Sequence, residues 1–154
     1  MSLRLEVQYA TRPEGTPPEA AFRHWAEAAL NDPGKETGLV IRVVDELESQ
    51  NLNQEYRGRD GPTNVLSFPF EPPPGMPADA VGYHLGDLVI CAPIVAREAE
   101  EQGKTLAAHW AHMVVHGVLH LQGMDHQTAD QADEMEAREA EILERLGFGD
   151  PYDE

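Results

Sequence analysis

Apolar and polar residues alternate through Leu3, Arg4, Leu5, Glu6, Val7, Gln8 and Tyr9, and that period of two predicts a half-buried strand. After Pro17 and Pro18 the period changes. Ala21, Phe22, Trp25, Ala28 and Ala29 recur at helical spacing from residue 19 until Asn31, Asp32, Pro33 and Gly34 stop the helix. Residues 39–44 are rich in β-branched residues and predict a second strand. Asp45 is placed to cap a helix running to about residue 53, which leaves Arg57 in the turn beyond it. Gly58, Gly61 and Pro62 then lead into a third strand over 64–70. The proline-rich stretch 71–81 reads as a loop, and 85–91 as a fourth strand whose start is roughened by Gly86 and Asp87. Helices are expected over 93–102, 106–121 and 130–146. Strands that first alternate with helices, followed by helices alone, predict an α/β fold. It would be one domain over residues 1–154: a mixed, mostly parallel four-stranded sheet covered by about five helices.

The candidate chemistry lies at the end of the second of these late helices. His116 and His120 are four residues apart, so they share a helix face and can grip one ion. Gly123 can adopt a left-handed conformation, end the helix and bring His126 back as a third ligand. Three neutral imidazoles suit Zn²⁺, one per chain, with a fourth position open to water or substrate. A bound zinc can polarise a carbonyl or phosphoryl oxygen or lower the pKa of a water to ~7.

The metzincin pattern H-E-x-x-H-x-x-G-x-x-H is met at all three histidines and at the glycine, but Gly117 stands where the peptidase base would be. Peptide hydrolysis is therefore disfavoured. His109 and His112 extend the same helix face. His109 lies roughly 16 Å along the axis from His120, too far to share an ion. His112 could support the site; the simpler reading makes both solvent-facing or helix-packing residues. Asp125 either orients an imidazole or accepts a proton, or is a turn aspartate bonding local amides.

The string from His116-Gly117 to Asp125-His126 does not stand alone. With Tyr56-Arg57-Gly58, with the run Pro62-Thr63-Asn64-Val65-Leu66-Ser67-Phe68-Pro69 and with Leu85-Gly86-Asp87-Leu88-Val89-Ile90, it resembles the YbeY-type bacterial endoribonucleases. The resemblance runs in one order from about Ile41 to Gly147; only the first ~35 residues carry little of it. Met124 departs from it, since the family usually shows tyrosine before the Asp-His pair.

The resemblance implies that His116, His120 and His126 bind zinc and that Arg57 belongs to the catalytic set. From the residues alone Arg57 is an ordinary solvated arginine. Asn64 and Ser67 could line a substrate groove from an edge strand, though strand and turn roles explain them, and Asp87, as well. The resemblance further implies a metal helix packed under the sheet. It also implies single-strand-specific cleavage in small-subunit ribosomal RNA maturation, including 3′ end processing, and in ribosome quality control. Whether water or the neighbouring 2′-hydroxyl attacks stays open. The rival from another class is a non-catalytic ribosome-assembly factor with a structural zinc.

Charge complicates an RNA substrate. The formal net charge is −17, whereas nucleic-acid binders usually present basic stripes. Asp130, Asp133, Glu134, Glu136, Glu139, Glu141 and Glu144 read as a solvated helix face. The few cations elsewhere include Arg42, Arg57, Arg59 and Arg97. Weak intrinsic affinity is expected, with single-stranded ribosomal RNA reached by docking on the small subunit or an assembly protein, and with no role for DNA. The single Cys91 excludes an internal disulfide. No secretion signal follows Met1 and no apolar run approaches the ~20 residues of a membrane span, so a cytoplasmic location is expected.

Overall fold

The structure, a computed structural model, describes residues 3–31, 36–70, 75, 84–124 and 127–149. Four strands and five helices follow in the order β1 (Leu3–Tyr9), α1 (Glu19–Ala29), β2 (Thr37–Val44), α2 (Glu46–Arg57), β3 (Val65–Pro69), β4 (His84–Cys91), α3 (Ala92–Glu101), α4 (Leu106–Leu121) and α5 (Ala129–Arg145). The sheet order is β1-β2-β4-β3. β1, β2 and β4 run parallel, and β3 pairs antiparallel with β4 at the edge. The mixed, mostly parallel sheet expected from the pattern is present.

The central strands are apolar on both faces, as a sheet covered on two sides requires. Ile41, Val43, Leu88 and Ile90 point into the main core, while Val44, Val89 and Cys91 point the other way with Leu66. Helices α1, α4 and α5 lie on the main-core side. Leu52 of α2 and Ile94 of α3 cover the second cluster. An edge-on aromatic contact pins α1 to α4, with Phe22 5.6 Å from Trp110, and Trp25 of α1 stands edge-on to Phe22 at 6.0 Å. Most of α4 is buried all round, as befits a helix enclosed by sheet and helices.

Local capping follows the chemistry of the ends. Asp45 accepts from the Glu48 amide at 2.9 Å, as its position predicted. Thr105 caps α4, and Thr128 with Gln131 forms a reciprocal capping box at the start of α5. Helix α2 is one turn longer than the pattern suggested. It ends at Arg57, with Gly58 donating back to the Gln54 carbonyl. Arg57 is thus the last helical residue and not a turn residue. Among the described residues no helix is long and apolar enough to cross a membrane.

Candidate active site

A groove of about 850 Å³ opens between the end of α2, the edge strand β3 and the helices α4 and α5. His116 and His120 line it from α4, Arg57 and Arg59 from the end of α2 and the turn after it, and Asn64 and Ser67 from the β3 side. The two imidazoles lie parallel within 7°, with ring centroids 6.3 Å apart. His116 Nδ1 lies 2.5 Å from Glu139 Oε1, and His120 Nδ1 lies 2.9 Å from the Met124 carbonyl oxygen. A carbonyl can only accept, and a carboxylate is an acceptor, so each neutral ring must carry its hydrogen on Nδ1. The lone pair then resides on Nε2 of both rings, the arrangement of metal-binding histidines held by an outer hydrogen bond.

That donor set fits Zn²⁺ but does not complete its coordination. Among the described residues no group of three or more histidine, cysteine or acidic side chains gathers to hold a metal. The third expected ligand, His126, and its neighbour Asp125 lie outside the described residues. The turn that leads toward them has the expected form. Gly123 adopts φ 102°, and the Met124 amide reaches back to the Leu119 carbonyl at 3.1 Å. Because His120 is held by the Met124 main chain, the methionine side chain at this position does not disturb that bond.

Gly117 has a packing role. A Cβ there would fall 2.6 Å from Leu88 Cδ2, so a side chain at 117 would force the end of that buried leucine to move. A glutamate at 117 would first have to displace the end of the Leu88 side chain.

The rim is held by polar side chains on the inner face of α2. Ser49 exchanges hydrogen bonds with Thr63, donating to its carbonyl at 2.9 Å and accepting from its amide at 3.0 Å. Asn53 donates to the Gly61 carbonyl at 2.9 Å. These contacts fix residues 58–64 and so the approach to Arg57 and Arg59. Arg42 and Arg97 are engaged with Glu48 and Glu46. Asn64 and Ser67 do border the groove from the sheet edge, but the Asn64 amide also bonds Glu98 at 3.1 Å. Asp87 pairs with His84, with its Oδ1 2.9 Å from the imidazole.

Glu139 overturns one expectation. It does not belong to a solvated acidic face: it is fully buried, between His116 and His112. Asp130, Asp133, Glu134, Glu136, Glu141 and Glu144 are exposed as expected, and Glu136 also lines the groove. The signal was available, because Met135, Glu139, Ile142 and Leu143 share the buried stripe of α5. His109 and His112 are likewise buried, so the packing alternative holds and the solvent-facing one does not. His109 meets Glu98 at 2.9 Å, and Lys104 approaches His112 at 3.5 Å. Burial lowers the basicity of both Lys104 and His109, against the opposing pull of Glu98.

The family model described as Endoribonuclease YbeY matches residues 9–147. The chain belongs to this family. A relative named Endoribonuclease YbeY from Alkalilimnicola ehrlichii is 60% identical over 155 residues, covering 98% of this chain and 92% of its own. Another of that name, from Stenotrophomonas maltophilia, is 55% identical over 150 residues, covering 97% and 93%. The solution structure of a Thermotoga maritima protein, 24% identical, matches 97% of both chains with a TM-score of 0.57 and shares the fold.

Proposed function

We propose that this chain is a zinc-dependent endoribonuclease that cuts single-stranded RNA in the groove between α4 and the end of α2. Family membership makes it an RNA-cleaving hydrolase. The observation that carries the site is that His116, His120 and Arg57 border one space. His116, His120 and His126 would hold the metal, which when bound supplies a Lewis acid for a phosphate oxygen. Glu139 and the Met124 carbonyl hold the two described rings in the tautomer this requires. Arg57 offers a planar fork of donors to the scissile phosphate and stabilises the charge that grows on it.

The size of the groove favours an unpaired strand. Its volume of about 850 Å³ falls within the ~300–1,000 Å³ range of small-ligand sites, room for a nucleotide or two. Double-stranded RNA is read instead by surfaces spanning many base pairs. Small-subunit ribosomal RNA maturation at the 3′ end, and ribosome quality control, are the cellular settings of this reading. The net charge of −17 supports recruitment by the ribosomal small subunit or an assembly protein. The same charge favours a second reading, a docking factor in which zinc is only structural.

The test uses an RNA with a stable hairpin and a single-stranded tail. The wild type should cut the tail and spare the stem. Arg57→Ala should retain zinc and fold but cut about 10²-fold more slowly, the scale for losing one donor to a developing charge. Undiminished cutting by Arg57→Ala would remove it from the catalytic set. A protein that holds zinc and cuts neither region would support the docking factor.

A further inference from the structure

Three large hydrophobic residues are exposed among those described: Leu47, Tyr56 and Phe70, at 66%, 61% and 39%. Two are aromatic, and both flank the edge strand β3. The Tyr56 ring stands edge-on to Phe68 with centroids 5.3 Å apart, and Phe70 stands edge-on to His84 at 5.3 Å. Alternation along a strand places Phe68 and Phe70 on one side and Ser67, which lines the groove, on the other. The Phe70 amide continues the β3–β4 pairing by donating to the Leu85 carbonyl. Phe68 packs with Leu66 against the second cluster on the α2 side of this strand, and Leu66 also borders the groove, so the rings adjoin the groove along that side of β3.

Tyr56 immediately precedes Arg57 at the end of α2. Successive helical side chains diverge by about 100°, so Arg57 can serve the groove while Tyr56 stands beside it. At a net charge of −17, phosphate contacts alone bind RNA poorly. Stacking of bases on aromatic faces needs no positive charge and tolerates any base sequence. We infer that Tyr56, braced by Phe68, and then Phe70 form a stacking platform for unpaired bases of the RNA strand whose phosphate lies at Arg57. This rests on the endoribonuclease reading and adds to it the means by which an acidic protein selects single strands. Paired bases are already stacked on one another and offer no such face.

The test measures binding and steady-state cleavage of an unstructured oligoribonucleotide carrying 2-aminopurine, whose fluorescence is quenched on stacking. Tyr56→Ala should raise Kd and KM about 10-fold, the scale for losing one base–aromatic contact, with zinc content unchanged. Tyr56→Trp should restore both, and Tyr56→Leu, apolar but without a π-face, should not. The salt dependence of binding should keep its slope in Tyr56→Ala and become shallower in Arg57→Ala, because only the arginine neutralises a phosphate. Wild-type quenching with equal binding by Tyr56→Ala, or rescue by Tyr56→Leu, would overturn the platform and leave the nuclease reading standing. Tyr56-dependent quenching without any cleavage would keep the platform and overturn the nuclease reading. No RNA binding by the wild type would overturn both.

Discussion

Helix α4 carries four histidines on one face, and the structure divides them into two pairs. His109 and His112 are sealed in the interior, among Glu98, Lys104 and Glu139. His116 and His120 lie further along the same helix and border the groove. Residue type, helix and face are shared; access to solvent is not. Spacing alone groups side chains, but whether a group binds a ligand or holds helices together depends on what the chain folds over it. Here α3 and the loop after it close one end of the helix face, while the other end opens toward β3. Glu139 bridges the two pairs, 2.5 Å from His116 and 3.5 Å from His112.

The sharpest way to break this division is to remove one member of each pair. His120→Ala should lose most bound zinc and nearly all RNA cleavage, since two imidazoles make a much poorer site than three. His109→Asn should keep both. Elemental analysis giving equal zinc in wild type and His120→Ala would end the metal assignment. A smaller effect is expected from the bridge. Glu139→Ala should weaken zinc binding about 10–100-fold, the range for losing an outer partner of a ligating histidine. Glu139→Gln, which retains an acceptor oxygen, should recover part of it. Chelator competition curves that superimpose for wild type and Glu139→Ala would show that the carboxylate serves packing alone.

The smallest effect concerns the interior pair and pH. Burial holds His109 below its ordinary value, so the unfolded chain takes up this proton first as pH falls. The stability tied to its neutral form is therefore complete above the free imidazole value of ~6.5 and is lost below it. The unpartnered buried Nδ1 of His109 agrees with a neutral ring donating through Nε2 to Glu98. Denaturant midpoints should fall less steeply from pH 7 to 5 in His109→Asn than in wild type. Parallel pH profiles would place the acid sensitivity elsewhere.

Much of the architecture was legible because it is written in local periods. The alternation of β1, the cap at Asp45 and the glycine stop after α4 each act within a few residues, and each is found where the pattern put it. What escaped was non-local. Nothing near Arg57 announces that Ser49 and Asn53 tie down the following turn and let α2 run one turn further. Acidic residues on both sides of Glu139 disguise it as one more solvated carboxylate. Only the stripe shared with Met135, Ile142 and Leu143 gives it away, and its partner lies on another helix. For the candidate site, the helix pair His116 and His120 was readable from spacing. The groove that joins them to Arg57 depends on β3 folding back antiparallel at the sheet edge, which no short pattern encodes.

The contact between Gly117 and Leu88 also limits where this protein can go by mutation. The glutamate of the peptidase pattern would be a change of one residue at position 117 on paper. Here its first methylene would meet the terminal methyl of a fully buried leucine, so the Leu88 side chain would have to turn aside before the new carboxylate could be accommodated. A glutamate at this position would therefore act on the packing between α4 and β4 before it acted on any substrate.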